Sequence, residues 1–588
     1  LDAPKNKQMT PLNDNAPTLT PTQLRNARKR RARRASSKSV TCSPLTAKNQ
    51  QNANKNENLR RNSSVSQDRG RVTTVSSTSD PSVRYLSNPA KAPIVREAVS
   101  YMESRMSMAA KGKSDDVASA VSSPKLFAVH IGPKYGWRTV SKLAVRRSSS
   151  NSGDFGALEI GMFAPGSHDI IPMGYSRLQL SSSKKHRQEG RSGSNGAVGR
   201  SVHHPSIDVA IDVVREECRQ AGVVPFEDTV RTEAKIDEKT ALGKKGVRGI
   251  AGKGMLRFLA VNVERSTGRV QVTLVWNGRK ERGVLTKLVS ALLARGGGGN
   301  KKEDAVDLAT NVVASPQVTS SFVLHSLWVH YHSGDRHDNS IFGRGDGSGD
   351  EWEIFYGEPY VRELLDLRNP RPLSRGRKRQ RAEATVMTDN LPKVVLRFPP
   401  NVFRQANLDA FTGIVRCIRC RVQRFSKAHS LLPSCVELYG GVGTIGLNIA
   451  DLTSSLVSSD ENPYNVACFD ASADECLSTT LRQYVKYVPK NAKEMVASGA
   501  LADADIIVVD PPRKGLEEEV CETMLALIAT KGGKLKPRLL AYVSCGFKAF
   551  RKDCEKLIGG GWKLEHAEGF LLFPGADAIE TLAFFTLS

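Results

Sequence analysis

The segment Val436–Leu447, which reads VELYGGVGTIGL, decides the fold of this chain. The apolar residues before Tyr439 predict a β-strand, the glycines predict a turn, and the residues after them predict an amphipathic helix. Glycine lets a backbone approach a ligand closely where a helix begins. Such turns also occur in dinucleotide-binding proteins and in plain strand-to-helix connections, so the turn alone leaves the ligand open.

The alternation of apolar strand, turn and helix continues from about residue 403 to the end of the sequence. This order predicts an α/β domain over residues 401–588 with an open, mostly parallel sheet. In such sheets ligands bind at the carboxyl ends of the strands. We therefore expect the functional side chains directly after the predicted strands.

Two carboxylates compete for a place beside a ribose. The run Val466–Asp470 reads as an apolar strand that ends in an acid, and an acid there accepts hydrogen bonds from ribose hydroxyls in nucleoside-binding folds. Asp470 can instead cap a helix that follows it. Asp460 is the competing candidate, and the apolar strand before Asp470 favours Asp470.

Two further strands end in reactive residues. Ile506–Val509 is followed by Asp510 and two prolines, which hold a rigid extended backbone. Leu539–Ser544 is followed by Cys545, just before a predicted helix whose positive charges, Lys548, Arg551 and Lys552, favour a thiolate. The alternative interpretation of Cys545 is a buried, unreactive cysteine.

A late carboxylate completes the set. Glu580 begins the apolar strand that ends the sequence. Partial burial there would favour a carboxylate that exchanges protons, whereas a surface-facing glutamate is the alternative.

Taken together, these segments resemble the RNA uracil-C5 methyltransferases. That family has a Rossmann-like catalytic sheet with an Asp-Pro-Pro-Arg segment, a Ser-Cys segment and a late glutamate in this order. The resemblance covers residues 400–588, and Phe403–Asn407 is similar to the family's Phe-x-Gln-x-Asn entry segment. Gly136–Arg138 and Asn339–Gly343 are weaker landmarks of its central domain.

The resemblance implies a role for each candidate residue. Cys545 would be the nucleophile that adds to carbon 6 of uracil, and Glu580 the base that removes the carbon 5 proton. S-adenosylmethionine would be bound by Gln405, Tyr439, Thr444, Asp470 and Asp510. The implied substrate is uridine in transfer or ribosomal RNA.

This sequence departs from the family after the nucleophile and in its other domains. The usual Asn-Pro is replaced by Gly546-Phe547, and neither an N-terminal OB-like domain nor a four-cysteine iron–sulfur motif is visible. Cytosine-C5 methylation is an alternative, but its Pro-Cys motif is absent from the Asp510 segment. A catalytically silent RNA-binding protein is the other alternative, and the presence of both Cys545 and Glu580 argues against it.

The remaining sequence divides into a basic tail and a central domain. Residues 1–120 carry 22 Lys or Arg against nine Asp or Glu, half of the net charge of +26. Their polar composition predicts a disordered tail over residues 1–121, in which the run Arg28–Arg34 can contact RNA phosphates or serve as a nuclear address. Residues 122–400 predict an α+β domain with polar loop insertions, including strands at 126–131, 142–145, 256–263 and 270–276.

Composition also bounds the compartment and the metals. No apolar run is long enough to cross a bilayer, so we expect no membrane partner. We also expect a monomer. The scattered cysteines favour a reducing intracellular compartment, with nucleus, cytoplasm and organelle as open alternatives. The single CxxC, Cys417 and Cys420, lacks the second pair that a structural zinc needs, so we assign no metal.

Overall fold

The computed structural model describes residues 80–111, 126–147, 158–164, 169–174, 201–227, 253–278, 281–297, 321–332, 351–368, 391–527 and 538–587. All of them belong to one compact unit that spans Thr74–Ser588. The basic run 28–34 and the landmark 339–343 lie outside the described residues.

The described residues form two large sheets and the helices that pack on them. The strands are β1 (Ala128–Ile131), β2 (Val140–Arg147), β3 (Leu158–Phe163), β4 (Ile170–Pro172), β5 (Leu256–Val263), β6 (Val270–Trp276), β7 (Leu324–Tyr331), β8 (Glu351–Gly357), β9 (Val361–Leu365), β10 (Val394–Phe398), β11 (Ser434–Leu438), β12 (Ser455–Ser459), β13 (Val485–Val488), β14 (Ile506–Val509), β15 (Arg538–Ser544), β16 (Lys563–Leu571) and β17 (Glu580–Leu587). The α-helices are α1 (Pro93–Lys111), α2 (Pro205–Ala221), α3 (Arg282–Gly296), α4 (Leu408–His429), α5 (Asn465–Cys476), α6 (Thr479–Arg482), α7 (Ala492–Ala497), α8 (Glu518–Ala526) and α9 (Phe547–Gly559). None of these described helices is long and apolar enough to span a bilayer.

The larger sheet holds the candidate residues Asp510, Cys545 and Glu580 at its strand ends and is here called the catalytic sheet. It has eight described strands in the order β1-β16-β17-β15-β14-β11-β12-β13. Strands β11 to β15 run parallel, and β17 is antiparallel to both of its neighbours. The strand order reverses between β11 and β14, and ligands bind at such a reversal in open α/β sheets. The predicted Rossmann-like sheet is thereby confirmed.

Helices cover both faces of this sheet, and most of its strands are apolar. The sequence of β14, IIVV, is completely buried, as expected for a strand with packing on both sides. One face packs against the buried stripe of α4, and the other against α1, α8 and α9. The strand ends therefore provide the accessible chemistry of the sheet.

A second, seven-stranded sheet forms the central part of the chain. Its order is β4-β3-β2-β5-β6-β7-β8, and α2 and α3 pack on one face. The predicted strands at 142–145, 256–263 and 270–276 all lie in it. Strands β9 and β10 form a separate antiparallel pair that leads into the catalytic sheet.

The predicted strand Val466–Asp470 is wrong. These residues lie in α5, where Cys468 and Phe469 face the core together with Ser472 and Ala473 one turn later. The strand beside β11 is instead β12, Ser455–Ser459. Because β12 contains serines, it is not recognisable in the sequence as an apolar run. In the structure Ser458 and Ser459 are buried and hydrogen-bonded to β11.

The predicted disorder up to residue 121 is also wrong for residues 80–111. Val95, Ala98, Met102 and Met106 repeat at helical spacing and are buried, so α1 stabilises itself by packing on the catalytic sheet. The predicted boundary of the central domain shifts as well, because β1 pairs with β16 of the catalytic sheet.

Candidate active site

Strand register brings most of the predicted residues to one edge of the catalytic sheet. Val509 pairs with both Leu438 and Tyr542, so the residues after β11, β14 and β15 follow one another along the carboxyl edge. Ser544 of β15 pairs with Thr581 of β17. The residues that this edge collects are Tyr439, Asp460, Asp510, Cys545 and Glu580.

The glycine turn after β11 has a backbone that favours glycine. Gly441 and Gly443 have φ values of +55° and +84°. A Cβ on Gly443 would lie 2.5 Å from the Phe469 ring, whereas a Cβ on Gly441 would meet nothing within 4 Å. The turn therefore packs on α5 with one glycine and faces open space with another, which is the backbone access that a ligand needs.

Glu437 supports this turn from below, a role that the sequence analysis missed. Its carboxylate accepts hydrogen bonds from the Gly446 amide at 2.9 Å and the Ser458 hydroxyl at 2.6 Å. Burial raises its pKa to about 7. The predicted amphipathic helix does not form here, because two short 3₁₀ turns, Gly446–Asn448 and Ala450–Leu452, follow the glycines. The signal for this role in the sequence was an acidic residue three residues before the first glycine of the turn, Gly440.

Asp460, rather than Asp470, follows a strand beside the glycine turn. Its carboxylate accepts from the Gly441 amide at 3.2 Å and from the Asn462 amide at 2.9 Å. Burial raises its pKa. Asp470 lies on α5, where its side chain is 43% exposed and pairs with Arg482 at 2.8 Å. The structure therefore does not bring Asp470 to the glycine turn.

Tyr439 points its hydroxyl toward the loop after β14. The hydroxyl donates a hydrogen bond to Glu517, which also pairs with Lys514 at 2.8 Å. Burial and the Glu517 hydrogen bond raise the pKa of Tyr439 above its usual value. Tyr439 thus stabilises the loop that begins with the Asp-Pro-Pro-Arg segment. Thr444, which was also predicted to bind the cofactor, lies in the glycine turn itself.

Asp510 is half-buried at the tip of β14. Burial, followed by the negative charges of Glu437 and Asp460, raises its pKa to about 7. Three carboxylates thus share one region, and each raises the cost of ionising its neighbours. A cation placed among them would lower that cost.

Cys545 is half-buried, and its thiol is not activated in the way the sequence predicted. Burial, then the carboxylates of Glu580 and Asp510, raise its pKa to about 11, while Arg513 acts in the opposite direction. The predicted activating side chains, Lys548, Arg551 and Lys552, are exposed. Arg551 pairs instead with Glu97 at 3.0 Å.

Glu580 is buried, with 7% of its surface exposed. Burial and the nearby Asp510 raise its pKa to about 8, and Arg513 partly opposes this shift. The surface-facing alternative is therefore wrong. A buried carboxylate next to a cysteine and an arginine can exchange protons at moderately alkaline pH.

The packing of Gly546 and Phe547, which follow Cys545, shows why this chain departs from Asn-Pro. A Cβ on Gly546 would lie 2.3 Å from the Arg513 carbonyl oxygen, so the loop after β14 rests directly on Gly546. Phe547 is buried and packs edge-on against Tyr101 of α1, with ring centroids 5.9 Å apart.

The entry segment and the first central-domain landmark both contact the loop between β16 and β17, at Leu572 and Phe573. Gln405 is half-buried between Arg404, which pairs with Glu363, and Asn407, which donates to the Leu572 carbonyl at 2.8 Å. Trp137 packs on Phe573, with ring centroids 5.2 Å apart. Both segments therefore contact elements close to the catalytic edge.

The described residues contain no group of three or more His, Cys, Asp or Glu side chains that could hold a metal. Cys417 of the CxxC pair instead donates to Glu568 at 3.5 Å.

No protein-family model matches the chain. It is 28% identical over 457 residues to an uncharacterized RNA methyltransferase of Protochlamydia amoebophila, covering 78% of this chain and 88% of that protein. It is 27% identical over 202 residues to the 23S rRNA (uracil(747)-C(5))-methyltransferase RlmC of Shewanella baltica, covering 34% and 47%. Among solved structures, it is similar to the tRNA (uracil-54, C5)-methyltransferase of Pyrococcus abyssi in complex with S-adenosyl-L-homocysteine, with 16% identity, 78% coverage of each chain and a TM-score of 0.43.

Proposed function

From the premise that this chain belongs to the S-adenosylmethionine-dependent RNA uracil-C5 methyltransferase family, we propose that it methylates carbon 5 of uridine in transfer or ribosomal RNA through a covalent adduct with Cys545. The observation that carries the proposal is the meeting of Cys545, Glu580 and Asp510 at neighbouring strand ends. The first two residues are the nucleophile and the base that carbon 5 chemistry requires.

The glycine turn and its carboxylates fit S-adenosylmethionine. The backbone at Gly441 faces open space, and Asp460 lies directly beside it. The cofactor carries a positive sulfonium and ribose hydroxyls, which match carboxylates whose ionisation is otherwise costly. We propose that Asp460 takes the ribose-binding role first assigned to Asp470, with Gln405, Thr444 and Asp510 lining the same site.

Tyr439 also belongs to the proposed cofactor site, through its backbone position in the turn. Its hydroxyl is committed to Glu517, so its side chain supports the loop that carries Asp510 and Arg513. When bound, the cofactor supplies an electrophilic methyl group.

The proposed reaction begins with the Cys545 thiol. The thiol loses its proton to water. The positive charge of Arg513 favours the resulting thiolate. A bond then forms between Sγ and carbon 6, and the electrons of the carbon 5–carbon 6 double bond move to give an enolate. Carbon 5 becomes nucleophilic enough to accept the methyl group.

Glu580 acts after methyl transfer. Carbon 5 then carries both a proton and a methyl group, and Glu580 removes the proton. The electron pair of the broken C–H bond restores the double bond and expels the Cys545 thiolate. Burial of Glu580 supports this role, because a carboxylate with a raised pKa is the stronger base.

Denaturing gels with labelled RNA test this proposal. Wild type should form a persistent adduct on RNA that contains 5-fluorouridine. A base cannot remove the fluorine from carbon 5 as it removes a proton, so the thiolate is not released. Cys545→Ala should form no adduct, whereas Glu580→Gln should stall as a methylated adduct on ordinary uridine RNA.

Cys476→Ala is the matched control, because Cys476 is half-buried and contacts the Val395 amide away from the edge. It should behave as wild type. A persistent band with Cys545→Ala, or none with wild type on fluorinated RNA, would exclude the mechanism.

A further inference from the structure

Residues 80–111, here called the N-terminal arm, contact both segments that carry the proposed catalytic residues. We propose that the N-terminal arm positions Cys545 and Glu580 relative to each other, with Tyr101 and Asp577 as positioning residues. This inference rests on the catalytic roles proposed above. Neither the resemblance nor the relatives assign a role to this part of the chain.

The first contact is with the loop Phe573–Asp577, which leads into Glu580. The Tyr85 amide donates to the Gly575 carbonyl at 2.7 Å. A Cβ on Gly575 would lie 2.0 Å from the Ser82 carbonyl oxygen, so the two backbones are in direct contact. The arm therefore fixes this loop from one side five residues before Glu580.

The second contact joins the same loop to the start of α1. The Asp577 carboxylate accepts a hydrogen bond from the Ile94 amide at 2.9 Å, in the first turn of the helix. An acid at this place satisfies a free helical amide and interacts favourably with the helix dipole. Asp577 stands three residues before Glu580, so the helix and the glutamate segment are held together.

The third contact is with α9, the helix that follows Cys545. The Tyr101 hydroxyl donates to Glu555 at 2.6 Å, and Arg105 pairs with the same carboxylate at 2.5 Å. The Tyr101 ring also packs edge-on against Phe547, two residues after Cys545. Phe547 replaces the family's proline, so the departure from the family pattern supplies the ring that Tyr101 contacts.

A shared core connects the three contacts. Val95, Ala98 and Met102 of α1 are buried in the same apolar cluster as Phe547 and Ile579. Ile579 directly precedes Glu580. The helix thus shares one apolar cluster with a residue beside the proposed nucleophile and a residue beside the proposed base. Displacements of about 1 Å at such positions cost up to about a hundredfold in rate, so this packing can control catalysis.

Variants on the Cys545 side and on the Glu580 side of the N-terminal arm should slow different steps of the reaction. Tyr101→Ala removes the ring on the Cys545 side, so trapping on fluorinated RNA should slow about tenfold. Asp577→Ala loosens the Glu580 side, so trapping should stay near wild type while release of the methylated adduct on uridine RNA slows about tenfold. Asp577→Asn keeps an acceptor oxygen and should restore release.

Controls separate positioning from a simple loss of stability. Leu292→Ala removes a fully buried side chain of α3 in the central sheet and should lower the melting temperature without either kinetic change. All rates are measured on full-length protein at a temperature where each variant is folded, and affinity for S-adenosylhomocysteine should stay within about twofold of wild type.

Wild-type trapping and release in both Tyr101→Ala and Asp577→Ala would overturn the inference. So would rate losses that merely follow melting temperature in all variants, Leu292→Ala included. A wild-type protein that forms no adduct on fluorinated RNA would instead refute the proposed function, so the two failures are distinguishable.

Discussion

The carbonyl oxygen of Arg513 lies against Gly546, 2.3 Å from where a Cβ on that residue would stand. Arg513 belongs to the loop after Asp510, and Gly546 directly follows Cys545. This contact fixes the Arg513 backbone next to Cys545, the proposed nucleophile. Asparagine, the family residue, cannot stand at position 546 unless the Arg513 backbone moves.

The first prediction concerns this contact. Gly546→Ala should push the loop away and slow adduct formation on fluorinated RNA by about ten- to a hundredfold, because Arg513 leaves its position. Gly559→Ala is the matched control at the other end of α9, where a Cβ meets nothing within 4 Å. Equal trapping rates for the two variants would show that the Arg513 contact does not matter.

The second prediction distinguishes two aspartates. Asp460→Ala should weaken binding of S-adenosylhomocysteine by about tenfold or more, because a half-buried acceptor beside the glycine turn is lost. Asp470→Ala should bind as wild type, since Asp470 lies on α5 and its carboxylate pairs with Arg482. Calorimetry on both folded variants measures this. The opposite order of affinities would restore Asp470 to the site.

The third prediction follows from the charges around Cys545. The thiol reacts only when deprotonated, so the trapping rate should rise with pH. Glu580 raises the pKa of Cys545 and Arg513 lowers it. Glu580→Gln should therefore move the midpoint of the pH profile downward, and Arg513→Ala should move it upward.

Rates of trapping between about pH 6 and pH 10 provide the measurement. Because the pKa of Cys545 is raised to about 11, this range lies on the rising part of the profile, where a lower midpoint gives a faster rate and a higher midpoint a slower rate. The effect of Glu580→Gln should be clearest above pH 8, because burial raises the pKa of Glu580 to about 8 and it is neutral below that value. Equal trapping rates across this pH range in all three proteins would mean that neither charge acts on the thiol.

The fourth prediction concerns the stability of the glycine turn. Burial raises the pKa of Glu437 from 4.5 to about 7 in the folded protein. The folded state then binds more protons than the unfolded state between these values, so stability should fall as pH rises from about 4.5 to 7. The change is of the order of 1 to 3 kcal/mol.

Glu437→Gln should remove this part of the pH dependence. Urea unfolding of the cofactor-free protein at several pH values measures it, as the difference between wild type and variant. Glu461→Gln, an exposed glutamate close to the same edge, is the control and should keep the wild-type slope. A wild-type slope in Glu437→Gln would mean that another group carries the dependence.

Part of the site was predictable because it follows directly from strand ends. Asp510 and Cys545 each come immediately after an apolar run that the structure confirms as β14 and β15. Parallel strands bring their carboxyl ends to one edge, so sequence order alone placed these residues together. Glu580 followed from the same logic at the start of β17.

Other parts depended on contacts between distant segments. Strand β12 is polar in sequence and forms because Ser458 and Ser459 bond to β11, so only tertiary pairing could show that Asp460, not Asp470, faces the turn. Helix α1 looked too polar to fold, yet its narrow apolar stripe is buried against α9 and β16. Local composition cannot reveal a partner more than 400 residues away.

The sequence by itself therefore determined the sheet, the glycine turn and the places of Cys545 and Glu580 at strand ends, since these depend on local patterns of apolar and special residues. Only the tertiary structure decided their electrostatic state. The Cys545 thiol gains its raised pKa from burial and from carboxylates that arrive on other strands, and not from the lysines beside it in sequence. A pKa depends on distances in space, which a linear order of residues does not contain.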